Sequence, residues 1–276
     1  MESVLDIAIK ARSAALELAE VSSEKKNEAL LKLAELLRAN KESIKKANAL
    51  DLKKAEADGL SKPMLERLAL NDSKIDAIAD GVVQVANLPD PVGEVLESRV
   101  RPNGLSIEKV RVPIGVIGVI YESRPNVTID CAVLCLKSGN AAILRGGSES
   151  FESNKVLASL ISDALEQVDI NPSAVQMIPT TDRSALGELL LLDKYVNCII
   201  PRGGEGLIRF VVKNSTIPVI KHYKGVCTVF VDKEADLKTA KILPIRHRSA
   251  RHVSHTCPQA NRLCRKSLPE KLVYAN

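Results

Sequence analysis

From residue 4 to about 88, apolar positions recur at the three- and four-residue spacing of helices buried on one face. Leu5, Ile7, Ala8, Ala11, Ala15 and Leu18 make the first stripe. Ser22, Ser23 and Glu24 open a second run, in which Ala29, Leu30, Leu33, Leu36 and Leu37 share a face. Asp72 or Ser73 is placed to cap a further helix through Ile75, Ile78, Val82 and Val83. The charges between these stripes read as solvated surface.

The period changes near Leu88. Val95, Leu96 and Val100 precede Pro102-Asn103-Gly104, and Leu105, Ile107, Val110 and Val112 follow it. Asn-Gly supplies the positive φ angles of a tight turn, so residues 89–112 are expected to form an antiparallel hairpin outside the main sheet.

From residue 113 onward strands and helices alternate. Ile114 to Tyr121 is an almost continuous apolar run, as expected of a strand buried on both faces. Ala141–Leu144, Val175–Ile178 and Val196–Ile200 read as further strands, with Pro218–Ile220 and Cys227–Val231 after them. Helices are expected over Val127–Lys137, Glu149–Glu166, Ser184–Leu192 and Leu207–Lys213. This is the pattern of an α/β fold: a parallel sheet of Rossmann type with helices on both faces. Residues 1–88 form the helical part of one domain, 89–112 its excursion, 113–241 its core, and 242–276 a divergent tail.

Composition narrows the function classes. The 276 residues are 45% hydrophobic and 26% charged, ordinary for a globular chain. No stretch approaches the roughly 20 apolar residues of a membrane helix. The first residues lack a basic start, apolar run and cleavage site, which points to a cytoplasmic protein. Lys241 to Asn276 holds eight Lys or Arg and one acid, leaving 31 basic against 33 acidic residues elsewhere. A neutral body with a basic tail and 3% aromatics is not the footprint of a nucleic-acid binder. Four of the six Cys sit in apolar runs, and Cys131 and Cys135 read as core packing on one helix.

The unusual residues fall where strands end. Glu122-Ser123-Arg124-Pro125-Asn126 follows the first strand of this region, Arg145-Gly146-Gly147-Ser148-Glu149 the second and Pro201-Arg202-Gly203-Gly204 the fourth. Glycine permits close approach of backbone to ligand, and a following helix offers free N–H groups to a phosphate. One such loop reads most simply as a turn. Two Arg-Gly-Gly loops in one sheet point to an anionic ligand. No G-x-G-x-x-G fingerprint is present.

These segments carry a resemblance. Val112-Pro113-Ile114-Gly115-Val116-Ile117-Gly118-Val119-Ile120-Tyr121-Glu122-Ser123-Arg124-Pro125-Asn126-Val127-Thr128 is similar to the gamma-glutamyl phosphate reductases, or glutamate-5-semialdehyde dehydrogenases. So are Lys137 to Gly147, Leu192-Asp193-Lys194-Tyr195, Ile200 to Gly204, Ser215 to Val219 and Gly225-Val226-Cys227, in the right order over about residues 1–241. The resemblance implies the aldehyde dehydrogenase fold. It implies NADPH-dependent reduction of L-glutamyl 5-phosphate in proline biosynthesis, with glutamate 5-kinase as pathway partner and assembly into homo-oligomers. It puts Arg145, Ser148 and Glu149, with Gly146 and Gly147, where that superfamily holds the adenosine ribose, the Arg suiting the extra phosphate of NADP. Arg202, Gly203 and Gly204 fall where its turn meets the pyrophosphate. Asn126 falls near its oxyanion-stabilising Asn.

The match lapses after Leu243. The family's nucleophile sits in an Arg-Pro-x-x-Cys-Asn loop, and no such loop occurs here. Ungapped counting puts His255 at the nucleophile's position, with Cys257 as the nearest thiol. His247, His252, His255, Cys257 and Cys264 have zinc-binding side chains but no zinc-site spacing, so no metal is expected. Read one base later, Ser249 to Val253 can encode Arg-Pro-x-Met-Cys, so an out-of-frame segment is one reading of residues 244–271. Three functions follow: a reductase, an inactive nucleotide-binding fragment, or a partner-binding protein acting through the basic tail.

Overall fold

The structure is a computed structural model that describes residues 3–122, 124–221 and 236. Met1–Lys221 clusters as one compact unit. The expected strand Cys227–Val231, His255, Cys257 and the basic tail lie outside the described residues.

Five helices open the unit: α1 (Val4–Leu18), α2 (Ser23–Ala39), α3 (Lys41–Ala57), α4 (Lys62–Leu68) and α5 (Asp72–Ala86). Ser3 and Asp6 form a reciprocal capping box on α1, and the Ser22 hydroxyl accepts from Lys25 N on α2. The expected cap of α5 is corrected: Asn71 takes that place, its Oδ1 accepting from Lys74 N at 2.8 Å. Asn competes well for this position because its carbonyl reaches the third helical N–H.

The hairpin is present as β1 (Val95–Val100) and β2 (Ser106–Val110), antiparallel, with Arg99 opposite Ile107 and a bulge between Val95 and Glu97. Its turn differs from expectation. Among the residues of Pro102-Asn103-Gly104 only Gly104 takes a positive φ, +84°, and Arg101 N bonds to Leu105 O. That is a three-residue loop with glycine in the left-handed position, not a two-residue turn.

The main sheet is parallel, in the order β5 (Val175–Met177), β4 (Ala141–Arg145), β3 (Val116–Tyr121), β6 (Cys198–Arg202). Every β3 residue is buried. Ile117, Val119 and Tyr121 point into one core with α2, α5, α6 (Pro125–Lys137) and α7 (Phe151–Glu166). Val116 and Ile120 point into the other, with α1, α8 (Arg183–Leu189) and α9 (Glu205–Asn214). The N-terminal helices are therefore divided: most of α1 packs on one face of the sheet, with Ala14 and Leu18 reaching the other core, where α2, α3 and α5 lie.

Strand ends shift by one or two residues from expectation. β6 begins at Cys198, and just before it the Asn197 side-chain Oδ1 accepts from Val116 N at 2.9 Å. Pro218–Ile220 contributes a single bridge, Val219 to Ile199, instead of a full strand. A larger correction concerns the supposed solvated faces. Lys26 on α2 and Asp51 on α3 are 3% and 2% exposed, and Asn48 is buried on α3 as well. Lys26 Nζ pairs with Asp90 Oδ2 at 2.5 Å. Asp51 accepts from Glu152 N and Ser153 N at 3.1 and 2.8 Å, so it caps α7 from about a hundred residues away.

Candidate cofactor crevice and adjoining groove

The order β5-β4-β3-β6 places a topological switch point at β3, where consecutive connections leave in opposite directions. β3 is paired on both sides to its last residues. Ile120 is opposite Arg145, and Tyr121 is opposite Arg202. Two strand spacings separate the flanking strands, so the two Arg-Gly-Gly loops stand roughly 10 Å apart across the end of β3. The predicted loop residues are thus brought together at one edge of the sheet, with Glu122 between them.

The β4 loop rests on a buried polar chain. Asn154 Nδ2 donates to Ser150 Oγ at 3.0 Å, and Thr128 Oγ1 donates to Asn154 Oδ1 at 2.8 Å. The single Thr hydroxyl proton is then used, so Tyr121 donates to Thr128 across their 2.7 Å contact. Burial pushes the Tyr121 hydroxyl pKa upward and keeps it protonated, as a donor must be. A Cβ on Gly146 would collide with Asn154 Nδ2 and come within 3.2 Å of the Tyr121 ring. Glycine is required there by close packing.

Arg145 is half-buried. Its guanidinium donates to Gly146 O and Thr181 O at 3.0 Å each, and its Nε is buried without a hydrogen-bond partner. Burial lowers its pKa, opposed by Glu149 and reinforced by Arg183. Glu149 folds back over Gly147, and Ser148 is exposed in a 3-10 turn, Ser148–Ser150, leading into α7.

On the other side, Gly204 is the N-cap residue of α9. Its N–H donates to Glu122 Oε2 at 2.9 Å. A Cβ on Gly203 would lie 2.7 Å from that carboxylate and 2.8 Å from Leu207 Cδ2. The turn therefore already accepts an anionic oxygen at a helix N-terminus, where backbone N–H groups and the helix dipole both favour negative charge. An orphaned guanidinium nitrogen on one side and an anion-accepting turn on the other are a donor set that fits a phosphate-bearing dinucleotide. Glu122 stands out in the sequence as part of an unusual strand end, and its bond to Gly204 appears only in the fold.

Asn126 is placed elsewhere. It lies in the first turn of α6, its Nδ2 donating to Asp130 Oδ2 at 3.0 Å. With Arg124 and Asp130 it lines a groove of about 530 Å³ facing α4 and α5. Burial raises the Asp130 pKa against the opposing pull of the Asn126 hydrogen bond.

Burial disfavours the thiolate form of the described cysteines. Burial pushes the Cys131 thiol to about 11 and the Cys135 thiol to about 12, and raises that of Cys198. All three are protonated at neutral pH, and a thiol reacts as its thiolate. Among the described residues no group of three His, Cys, Asp or Glu could hold a metal ion.

The aldehyde dehydrogenase family pattern matches residues 2–267. The chain belongs to the aldehyde dehydrogenase family. Within it, the chain is similar to a gamma-glutamyl phosphate reductase of Opitutus terrae, 58% identical over 245 residues, covering 89% of this chain and 58% of the relative. The crystal structure of gamma-glutamyl phosphate reductase from Thermotoga maritima superposes with a TM-score of 0.84 at 46% identity, over 91% of this chain and 60% of that one. The Saccharomyces cerevisiae enzyme of the same name superposes at 0.75 and 36%, over 90% and 63%. The chain thus spans about three-fifths of the length of such relatives. The aldehyde dehydrogenase family implies a nicotinamide cofactor. No described helix is long and apolar enough to cross a membrane.

Proposed function

We propose that residues 1–221 are the NADP-binding part of a gamma-glutamyl phosphate reductase, which reduces L-glutamyl 5-phosphate to L-glutamate 5-semialdehyde in proline biosynthesis. The observation that carries this reading is the placement of two Arg-Gly-Gly loops opposite Ile120 and Tyr121, on either side of one strand end. The names of the relatives support the reaction.

In this reading Arg145, with its unpartnered Nε, meets the 2′-phosphate that distinguishes NADP from NAD. Gly146, Gly147, Ser148 and Glu149 cradle the adenosine ribose. The Gly204 amide and the first turn of α9, with Arg202 and Gly203 beside them, receive the pyrophosphate once the Glu122 carboxylate gives way. The bound cofactor supplies hydride. In this reading Asn126 releases Asp130 and donates its amide N–H to the developing oxyanion. The kinase that makes the acyl phosphate is the natural pathway partner. The exposed β1–β2 hairpin is the proposed surface for homo-oligomer formation, because an unpaired edge carrying apolar side chains seeks a partner.

A second reading is favoured by one specific observation. The sequence contains no Arg-Pro-x-x-Cys-Asn. These 276 residues by themselves then bind nucleotide without turnover. Phosphate-dependent oxidation of glutamate semialdehyde with NADP separates the readings. We expect NADP binding with little turnover, both in this chain and in Cys257→Ser. Robust turnover abolished in Cys257→Ser would establish the reductase reading for this chain and make Cys257 the nucleophile.

A further inference from the structure

The first turn of α7 is capped from outside its own sequence. Ser150 stands at the N-cap position, where a hydroxyl ordinarily accepts from the second or third helical N–H, yet it makes no such bond. Those two amides, Glu152 N and Ser153 N, donate instead to Asp51 Oδ1 and Oδ2 on α3, at 3.1 and 2.8 Å. One carboxylate spans both amides and meets the positive end of the helix dipole. Asn48, one turn earlier on α3, secures the same junction. It donates to Ser153 Oγ at 3.1 Å and to Leu68 O at 2.9 Å, and it accepts from Leu70 N at 2.8 Å. Asn48, Asp51, Ser150 and Ser153 are all buried, so water has no access to replace these bonds.

Because Asp51 does the capping, the Ser150 hydroxyl is free for another task. Its Oγ accepts from Asn154 Nδ2, the first link of the chain through Thr128 to Tyr121 that packs under Gly146. Ser150 is also the last residue of the Ser148–Ser150 turn. The arrangement at α9 is different. There Gly204 has no side chain with which to cap, and the carboxylate that its N–H meets, that of Glu122, is exposed. Two helices thus begin at the same sheet edge, each with an internal carboxylate at its N-terminus. One carboxylate is buried and held, and the other is open to displacement.

We propose that Asp51 is a positioning residue for the cofactor. By capping α7 it releases Ser150 to the polar chain and so presets the Gly146–Glu149 loop. It also closes the N-terminus of α7 to phosphate and leaves that of α9 to receive it. This rests on the cofactor reading and deepens it. Without the Asp51 carboxylate, two helical amides lack an acceptor, and the local one is Ser150 Oγ in its ordinary capping role. A Ser150 hydroxyl turned to those amides abandons Asn154, and the loop loses its floor.

The test uses the full 276-residue chain, with NADP titrated calorimetrically well below the melting temperature and amide hydrogen exchange followed by mass spectrometry. Asp51→Ala should weaken NADP at least tenfold and speed exchange over residues 146–153 at least tenfold. Asp51→Asn keeps one acceptor oxygen and should lose about threefold to tenfold in each. Ser150→Ala should weaken NADP at least threefold with α7 still capped. The double variant Asp51→Ala with Ser150→Ala should bind NADP no worse than Asp51→Ala alone, because both changes break one route. Should Asp51→Ala not fold, Asp51→Asn carries the same cycle. Asn71→Ala removes the ordinary cap of α5; it should lower the melting temperature and leave both readouts within twofold of the parent. NADP binding within twofold of the parent in folded Asp51 variants, an equal loss in Asn71→Ala, or additive losses in the double variant would overturn the proposal. A parent that binds no NADP, with exchange over residues 146–153 still set by Asp51, would instead remove the cofactor reading and leave the hold of Asp51 on the loop standing.

Discussion

β3 and the β1–β2 hairpin are neighbours in sequence and opposites in environment. All six β3 residues are buried, whereas every residue of β1 and β2 is exposed. Both contain β-branched apolar side chains, so propensity does not separate them. Cover does. Helices from both halves of the unit close over β3, and nothing among the described residues closes over the hairpin, where Val100 is 70% exposed. A strand buried on both faces can hold a ligand edge in place. A bare hairpin can serve only if something outside this unit covers it.

The largest effect should come from deleting buried volume on β3. Ile120→Ala is expected to cost about 3–4 kcal/mol in urea unfolding, as large-to-small changes in packed cores do, while Ile107→Ala in the hairpin should cost under about 0.5 kcal/mol. Similar losses at the two positions would break the comparison. Next is the close packing under the β4 loop. Gly146→Ala should cost about 1–3 kcal/mol, because the added methyl group meets Asn154 and Tyr121 inside the polar chain. An unchanged midpoint would mean that the chain gives way freely.

A smaller, chemically specific effect is expected at Arg145. Arg145→Glu should weaken NADP about tenfold or more and NAD much less, because only NADP carries the extra phosphate. Equal losses for both cofactors would remove the specificity argument. The pH dependence has a definite sign. The Cys131 and Cys135 thiols are raised by burial to about 11 and 12. Above the ordinary thiol pKa the unfolded chain releases these protons while the folded chain retains them. Their contribution is therefore full below about pH 9 and is lost as pH rises through the folded values. Cys131→Ala with Cys135→Ala should flatten that alkaline decline, as read by urea midpoints from pH 8 to 10.5. On the hairpin, Val100→Lys should reduce self-association in light scattering at high protein concentration without altering the melting temperature. A parent that remains monomeric would remove that role.

The parts of this fold legible in the sequence are those that local pattern controls. Ile114 to Tyr121 read as a two-sided buried strand because burial on both faces leaves no polar alternation. The glycine loops were legible as turns after strands, and their pairing in one sheet is what pointed to an anionic ligand. What was not legible is long-range and polar. Asp51 looks like one more charge on a solvated helix face, yet it caps α7 across the fold. Asn48, Thr128 and Asn154 likewise hold the floor of the site through single hydrogen bonds that impose no period. Glu122 belongs with them, since only the pairing of β3 with β6 brings its carboxylate to Gly204. The packing of most of α1 on one sheet face and of α2, α3 and α5 on the other was also hidden, because an amphipathic stripe says that a face is buried and not against what.

The central claim is that the end of β3 is a nucleotide crevice built from the β4 and β6 loops. Calorimetric titration of NADP into the 276-residue chain and into Gly203→Val tests it most directly. The account predicts saturable binding at one site per chain and loss of binding by at least tenfold in the folded variant, whose side chain would press on Glu122 and Leu207. Absence of NADP binding by the parent, or equal binding by both proteins, would contradict it.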